Sequence, residues 1–272
     1  MNIGKKLIFL VKRFGWYKRL NAKVIYEILA KRVPAADWHF MNYGYVQSAD
    51  EKPLELPNDP HLQRYPLQMY HYLASKINLE GKQVLEVGSG RGGGARYISQ
   101  ALKPAFYTGM DLAQNAVDLA NKLHQFPNLK FIQGSAENIP LPDKSMDVVI
   151  NVESCHAYGS VPKFLSEVKR VLKPGGHLLL VDFRKTEVLE TFRDQLRDSK
   201  MQWLSEEDIT ENVVQAIESE DESKQARIKA LIPPKWQKLF AEFAGVVGSP
   251  LHLNLKNRAR LYYRYVIRKE TA

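Results

Sequence analysis

Cysteine and long apolar runs are both scarce in this chain of 272 residues. The single cysteine, Cys155, excludes an internal disulfide, and no Cys/His group has the spacing of a zinc site, so no metal is expected. The apolar run at 7–11 is far shorter than the roughly 20 residues that cross a bilayer. Lys12 and Arg13 follow it where a secretory signal needs small residues. We therefore expect a protein of the reducing cytoplasm.

Outside one basic segment, the positive and negative charges of the chain nearly cancel. The net charge is +9, and residues 1–33 hold nine Lys or Arg against Glu27 alone, so eight of those net charges lie in this basic arm. Its apolar residues recur at helical spacing. The arm is expected to lie on an anionic membrane at its inner face, or to pack as a lid on its own domain, and the two are compatible. Nucleic acid is not an expected partner, because the rest of the chain has no basic track.

The most informative stretch, residues 83–95, places a short aliphatic strand directly before a cluster of glycines. A helix is predicted to follow over 95–102. A strand that turns into a helix through glycines brings bare backbone N–H groups against a ligand. We therefore expect a nucleotide-type cofactor site, with the Glu86 carboxylate at its lip.

The glycines fit two patterns. Gly88, Gly90 and Gly93 satisfy the dinucleotide fingerprint Gly-x-Gly-x-x-Gly, which is weak on its own. Glu86, with Gly88, Gly90 and Gly92, equally satisfies acidic-x-Gly-x-Gly-x-Gly. These residues alone do not choose between the two cofactor classes.

Asp111 ends the next predicted strand, over 106–112, and lies 23 residues after Gly88. At this spacing a carboxylate can accept hydrogen bonds from both hydroxyls of a ribose, which indicates an adenosine group. The alternative is that Asp111 caps the helix predicted over 113–124. Both readings stay open.

The next two predicted strands, over 129–133 and 146–151, bring further polar residues to the same edge. Ligands of open parallel sheets bind at the carboxyl ends of the strands, so 151–158 is the expected floor of the site. His156 is the titratable group at this tip and the natural base near neutral pH, or else a structural histidine of the loop. Cys155 is not expected to act as a nucleophile, since neighbours on a loop seldom face each other.

The remaining pattern alternates helices with two more strands. Strands are predicted over 177–182 and 260–268, and helices over 67–77, 161–172, 186–199, 205–231 and 236–243. Ser205 is the predicted N-cap of the longest helix, because acidic residues follow it. The charged run at 218–224 is interpreted as a solvated face.

Four stretches in this order resemble the class I methyltransferases that use S-adenosylmethionine. They are the acidic-glycine turn at 86–92, Asp111, Gly-Ser-Ala-Glu at 134–137 and Leu-Lys-Pro-Gly-Gly at 172–176. The resemblance implies an α/β fold: a Rossmann-like sheet with helices on both faces and a closing antiparallel strand pair. The expected domains are the basic helical arm, defined by its charge, with an aromatic lid segment over 1–50, and a methyltransferase domain over 51–272. Within the domain a helical cap is expected at about 184–245, before the last strands.

The strings at 92–95, 151–158 and 205–218 further resemble the phthiotriol/phenolphthiocerol dimycocerosate and fatty-acid O-methyltransferases. This resemblance implies an apolar acceptor, a lipid or polyketide hydroxyl or carboxyl oxygen, methylated by in-line transfer. Methylation of carbon or nitrogen in another small molecule is the alternative. An RNA methyltransferase is less expected, because 151–154 lacks the Asn/Asp-Pro-Pro-aromatic string.

The same resemblance implies a role for each residue of the site. His156 is the expected base for a hydroxyl acceptor, or positions a carboxyl acceptor, which needs no base. Ser135 stands where Asp is more common in the family. The residues expected to bind S-adenosylmethionine are Glu86, Gly88, Ser89, Gly90 and Gly92, then Asp111 and Leu112, then Ser135, Ala136 and Glu137, and finally Asn151 and Val152. The expected substrate contacts are Glu153, Tyr158 and Tyr43.

Overall fold

The computed structural model describes residues 39–51, 54–56 and 63–271. The predicted basic arm lies outside these residues, so its membrane contact and its boundary with the domain stay predictions. The strands of the described chain are β1 (Gln83–Val87), β2 (Phe106–Asp111), β3 (Leu129–Gln133), β4 (Met146–Val152), β5 (Leu172–Lys185), β6 (Gln202–Asp208) and β7 (Arg260–Arg268). The helices are α1 (Arg64–Ala74), α2 (Gly93–Ala101), α3 (Gln114–Leu123), α4 (Val161–Val171), α5 (Leu189–Asp198), α6 (Thr210–Leu231), α7 (Pro234–Ala244) and α8 (Pro250–Lys256).

The seven described strands form one sheet in the order β3-β2-β1-β4-β5-β7-β6. Strands β1 to β5 pair in parallel, and β7 pairs antiparallel with both β5 and β6. One apolar cluster packs α1, α2, α3, α6 and α8 on one face, and a second packs α4 and α5 on the other. The predicted α/β fold, with helices on both faces and a closing antiparallel strand, is confirmed.

The predicted helix start at Ser205 is wrong. Residues 202–208 form the edge strand β6, and Ser205 pairs with Val266 of β7. The Arg264 guanidinium of β7 donates to the Ser205 hydroxyl and to the Glu207 carboxylate, so long-range partners outweigh the local capping signal. Helix α6 begins at Thr210 instead, and the Asp208 carboxylate accepts a hydrogen bond from the Thr210 amide. A strand therefore interrupts the predicted helical cap.

The interpretation of 218–224 as a solvated face is wrong for two of its residues. Glu220 and Lys224 are each only 5% exposed. They recur at helical spacing with the buried Val213, Ile217 and Ile228, so they lie on the inner face of α6. Charge alone suggested exposure, whereas the helical position decides burial.

No helix in the described part of the chain combines the length and apolarity needed to cross a membrane.

Helix α8 was not predicted from the sequence. Its N-cap Ser249 accepts a hydrogen bond from the His252 amide, and Pro250 occupies the first turn. Strand β5 also starts earlier than expected, because Leu172 pairs with Met146 of β4 before the register shifts and His177 pairs with Val148.

Gly94 allows α1 and α2 to approach closely. A Cβ atom at this position would lie 2.0 Å from the Tyr70 ring. Tyr70 is buried and its hydroxyl is held by Glu86 at 2.7 Å, so the ring has little room to move.

We expect Gly94→Ala to lower the free energy of unfolding by about 1–3 kcal/mol, because the added methyl overpacks this contact. Urea denaturation measures the change. Arg96→Ala, on the exposed face of the same helix, is the matched control and should change stability by less than about 0.5 kcal/mol. Equal stability of the two variants would contradict the close approach.

Candidate active site

A pocket of about 960 Å³, partly open to solvent, lies at the carboxyl ends of the first four strands. The segment at 39–42 and Tyr70 of α1 line it from the other side. The sheet contributes residues 87–91 after β1, 110–113 after β2, 134–137 after β3, and Val152, Glu153, Ser154, Ala157 and Tyr158 after β4.

The glycine turn does not present bare N–H groups, as the sequence suggested. The amides of Gly88 and Ser89 donate to the Met110 carbonyl, and the Gly90 amide donates to Asp111. The Gly92 amide donates to the Ser89 carbonyl. Gly90 instead gives room: its φ is 54°, and a Cβ there would meet no atom within 4 Å. The turn therefore lets a ligand approach the backbone closely.

Asp111 is fixed in the wall of the pocket. Its Oδ2 accepts the Gly90 amide and its Oδ1 accepts the Ala113 amide, each at 2.9 Å. Burial raises the pKa of Asp111, and the backbone donors oppose that rise. The side chain both ties the strand end to α3 and lines the pocket, so the capping and ligand readings are compatible. Each oxygen keeps a lone pair with which it can accept a further hydrogen bond.

The pocket wall fits an adenosine-like group by its chemistry. Ser89 is 4% exposed, and its Oγ has no hydrogen-bond partner among the described residues. Met110, Leu112 and Ala136 supply apolar surface beside the Asp111 carboxylate. A buried donor, a carboxylate and apolar walls are what a hydroxyl-bearing aromatic ligand requires.

Ser135 and Glu137 hold the loop after β3 in place. The Ser135 hydroxyl accepts the Glu137 amide at 3.2 Å, and Glu137 Oε1 accepts the Ser160 amide at 3.0 Å. With Ala136 between them, both residues line the pocket, at the positions that the resemblance assigned to adenine.

Glu86 lies beneath the pocket and not at its lip, which corrects the sequence-based expectation. It is fully buried, and its two carboxyl oxygens accept the hydroxyls of Tyr70 at 2.7 Å and Tyr107 at 2.9 Å. Burial raises the pKa of Glu86 to about 7, although the tyrosine hydroxyls oppose the rise. Glu86 therefore supports the lining residue Tyr70 and does not line the pocket itself.

Two other residues of the predicted cofactor set also lie behind the lining. Gly92 caps α2 with a φ of 80°, and a Cβ there would lie 2.5 Å from the Phe131 ring. The Asn151 side-chain nitrogen lies within hydrogen-bond distance of the Val87 carbonyl, the Ser154 hydroxyl and the Tyr158 hydroxyl, and its two N–H groups can donate to two of them at a time. This network joins the ends of β1 and β4 and brings Tyr158 to the pocket.

Glu153 is a buried acid in the pocket wall. Its φ of 46° is unusual for a residue with a side chain, and its Oε1 accepts the Tyr43 amide at 2.7 Å. Burial raises the pKa of Glu153 to about 8, against the lowering by the Tyr262 hydroxyl and the Tyr43 amide. Tyr43 lies on the far side of this contact and does not line the first pocket.

His156 does not line the pocket either, although its neighbours Ser154 and Ala157 do. Its Nδ1 lies 2.7 Å from Oδ1 of the buried Asp182, and its backbone amide donates to Oδ2 of the same carboxylate. Burial opposes ionisation of Asp182, but His156 and Arg184 hold its pKa well below the ordinary range. With Nδ1–H donating to Asp182, Nε2 is the atom that can accept a proton.

A second cavity of about 550 Å³ adjoins the first and shares Phe40, Met41, Asn42 and Arg91 with it. Tyr43 lines this cavity, so the expected substrate contacts divide between the two spaces. The rest of the second cavity's lining is Gln63 and Pro66, with Glu220, Lys224 and Arg227 of α6 and Phe240, Phe243 and Ala244 of α7.

Sequence reasoning missed Tyr70 of the first pocket and the charged residues of α6 in the second cavity, because nothing local distinguishes them from other helical positions.

Comparison with known proteins agrees with this geometry. Residues 85–180 match the family described as "Methyltransferase domain". The chain is 36% identical to the phthiotriol/phenolphthiotriol dimycocerosates methyltransferase of Mycobacterium leprae, over 93% of either chain. It is 37% identical to the fatty-acid O-methyltransferase of Mycolicibacterium smegmatis, over 86% of either chain.

Solved structures show the same fold at lower identity. Geranyl diphosphate C-methyltransferase from Streptomyces coelicolor A3(2) matches 93% of this chain and 98% of its own, with a TM-score of 0.65 and 14% identity. The [4+2]-cyclase SpnF matches 92% of this chain and 96% of its own, with a TM-score of 0.69 and 20% identity.

The chain belongs to the S-adenosylmethionine-dependent methyltransferases, and its cofactor is S-adenosylmethionine. Within that family it falls in the group of the phthiotriol dimycocerosates and fatty-acid O-methyltransferases, as the resemblance indicated.

If the cofactor supplies the missing partner of the buried Ser89 hydroxyl, Ser89→Ala should weaken binding of S-adenosylhomocysteine about 3- to 10-fold. Isothermal calorimetry measures this. Stability without ligand should not change, since the Oγ has no partner among the described residues. Ser99→Ala is the matched control: its buried hydroxyl donates to the Arg96 carbonyl, so stability should fall and affinity should not. Unchanged affinity in Ser89→Ala would contradict its place in the site.

The raised pKa of Glu86 predicts a pH-dependent stability. Its pKa is about 7 in the folded protein against 4.5 for the ordinary group, so the folded state binds more protons between these values. The contribution of Glu86 to stability should therefore fall as pH rises from about 4.5 to 7, by up to about 3 kcal/mol, and level off above. The raised pKa of Glu153 adds a separate fall that continues to about pH 8 and remains in Glu86→Gln. Glu86→Gln should flatten the Glu86 part of this dependence in urea denaturation from pH 5 to 8.

Glu80→Gln, at an exposed position outside the sheet, is the control and should keep the pH dependence of the unaltered protein. An identical pH slope in Glu86→Gln and the unaltered protein would show that this carboxyl does not titrate as its burial requires.

Proposed function

We propose that this protein transfers a methyl group from S-adenosylmethionine to an oxygen of an apolar, lipid-like or polyketide-like acceptor. The observation that carries the proposal is the second cavity, which adjoins the cofactor pocket and whose aromatic and aliphatic lining residues are Phe40, Met41, Tyr43, Pro66, Phe240, Phe243 and Ala244. An acceptor held there would share the segment at 40–42 with the cofactor. Apolar lining favours an acceptor of low polarity.

The relatives support the same class of acceptor. One is named for phthiotriol and phenolphthiotriol dimycocerosates and the other for fatty acids, so both names describe long apolar molecules. They differ in the group that the names suggest as acceptor, a hydroxyl in one case and a carboxyl in the other. The proposal therefore specifies an oxygen of an apolar acceptor, which both names share, and not whether it is a hydroxyl or a carboxyl oxygen.

S-adenosylmethionine supplies a methyl group on a sulfonium, which is already a good leaving group. The residues of the chain therefore mainly need to align the acceptor oxygen with that methyl group. We assign the amino-acid end of the cofactor to Gly88, Ser89 and Gly90, and the ribose to Asp111 with Leu112. We assign the adenine to 135–137 and the methionine portion to Val152. Glu86, Gly92 and Asn151 position these residues from behind.

His156 and Asp182 are the proposed proton-handling pair for a hydroxyl acceptor. The buried Asp182 fixes the imidazole ring and leaves Nε2 to take the proton. The centroid of the imidazole ring lies 4.4 Å from that of the Phe183 ring. The Phe183 centroid in turn lies 6.0 Å from that of Tyr43, which lines the second cavity. For a carboxylate acceptor no proton is removed, and His156 serves only to position the acceptor.

Glu153 and Tyr158, which line the first pocket, and Tyr43, which lines the second cavity, are proposed to contact the acceptor. We also propose that the protein works in the cytoplasm, with the basic arm at 1–33 reaching the membrane surface from which an apolar acceptor would come.

Turnover of S-adenosylmethionine with long-chain alcohols and the matching fatty acids tests the function. His156→Gln should lower kcat about 100-fold or more with an alcohol acceptor, because a general base is lost, and by less than about 10-fold with an acid. His177→Gln, on β5 away from both cavities, is the control and should retain full activity.

Full turnover of an alcohol by His156→Gln would refute the base assignment. A protein that binds the cofactor but methylates no alcohol and no acid would refute the apolar acceptor.

A further inference from the structure

The second cavity contains a buried group of charges that the proposed reaction does not yet use. Glu220, Lys224 and Arg227 lie three and four residues apart on α6, so all three point to the cavity that they line. Glu220 and Lys224 are each 5% exposed. Charged side chains are seldom buried this far without partners that satisfy them.

The partners present leave several polar atoms unsatisfied. Arg227 Nη2 donates to Glu220 Oε1, and Lys224 Nζ donates to the Ala244 carbonyl at 3.2 Å. The distance from Lys224 Nζ to Glu220 Oε2 is 3.9 Å, too long for a hydrogen bond. Glu220 Oε2, which has only this ion pair, and Arg227 Nε have no hydrogen-bond partner within the described ranges. A lysine ammonium carries three donors, and one is used here.

The charges of the cluster do not balance. Three cationic side chains, Lys224, Arg227 and Arg91, line a cavity to which a single carboxylate, that of Glu220, contributes. Burial lowers the pKa of Lys224, while Glu220 opposes this. Glu153, the next acid toward the first pocket, has a pKa of about 8 and is largely neutral near pH 7. Asp221 accepts the Val247 amide at 2.7 Å. One further negative charge would complete the cluster and favour the charged form of Lys224.

Apart from Arg91, Asn42 and Gln63, the rest of the cavity lining is aromatic or aliphatic, so the anion it suits has an apolar body. Phe40 and Met41 lie on one side, and the side chains of α7 lie on the other. A site of this kind, with buried cations beside aromatic and aliphatic walls, fits an acid with a hydrocarbon chain.

We infer that Lys224, held beside Glu220 and Arg227, is a binding site for the carboxylate of an apolar acid in the second cavity. The inference deepens the proposed function and rests on it, because it selects a carboxylic acid as the methyl acceptor. A carboxylate oxygen forms the new bond to the methyl carbon, and the carbon–sulfur bond breaks with its electron pair left on sulfur. The products are a neutral ester and a neutral thioether, and no proton is removed.

The test compares decanoic acid with decan-1-ol, which share the chain and differ in charge. Calorimetry with the protein saturated with S-adenosylhomocysteine measures binding, and ester formation from S-adenosylmethionine is followed separately. Lys224→Met should weaken binding of the acid about 10- to 100-fold, since a charge-assisted contact is lost, and should change binding of the alcohol less than about 3-fold.

Two further variants make the result specific. Lys229→Met is the matched control, because Lys229 is exposed on the same helix, and it should bind the acid as the unaltered protein does. Lys224→Arg keeps the charge and should retain most of the acid affinity, which separates loss of charge from loss of folding.

The outcomes of this inference and of the proposed function can be told apart. Equal binding of the acid by Lys224→Met and Lys229→Met would overturn the inference, even if ester forms and the proposed function stands. Acid binding that depends on Lys224 without ester formation would support the binding site and overturn the proposed methylation of acids. Equal binding of acid and alcohol by the unaltered protein would also overturn the inference.

Discussion

The site depends on one buried carboxyl group, that of Glu86. It receives the hydroxyls of Tyr70 from α1 and Tyr107 from β2, so it joins three elements beneath the cofactor pocket. Tyr70 lines the pocket and also contacts Gly94, where α2 begins. A charged carboxylate is costly to bury, and the two tyrosine donors offset part of that cost. The position of the pocket wall relative to the sheet therefore follows from this contact.

Local signals explain what could be predicted from the sequence. The aliphatic strand and the glycines specify the turn after β1, and the spacing of Asp111 places it in the same pocket. Two features could not be predicted, because they depend on distant partners. Residues 205–208 carry a helix-capping signal but pair with β7, and Glu220 and Lys224 carry charges but face a cavity. The role of Tyr70 could not be predicted either, since only the fold shows that its hydroxyl donates to Glu86.

In the proposed reaction, the two cavities have separate roles. The first presents Asp111, Ser89 and apolar walls, the features that an adenosine group needs. The second presents aromatic walls and one buried cationic cluster, the features that an apolar acid needs. The segment at 40–42 belongs to both, so it is placed to hold acceptor and cofactor in register. Because the sulfonium reacts readily, alignment across this segment is the main task of the protein.

A crystal structure of the complex with S-adenosylhomocysteine and decanoic acid tests the central claim most directly, that cofactor and acceptor occupy adjoining cavities. The account predicts the ribose hydroxyls at the Asp111 carboxylate, the hydrocarbon chain among Phe40, Met41 and Phe243, and the carboxylate near Lys224. Decanoic acid bound elsewhere, with the second cavity filled only by water, would contradict it.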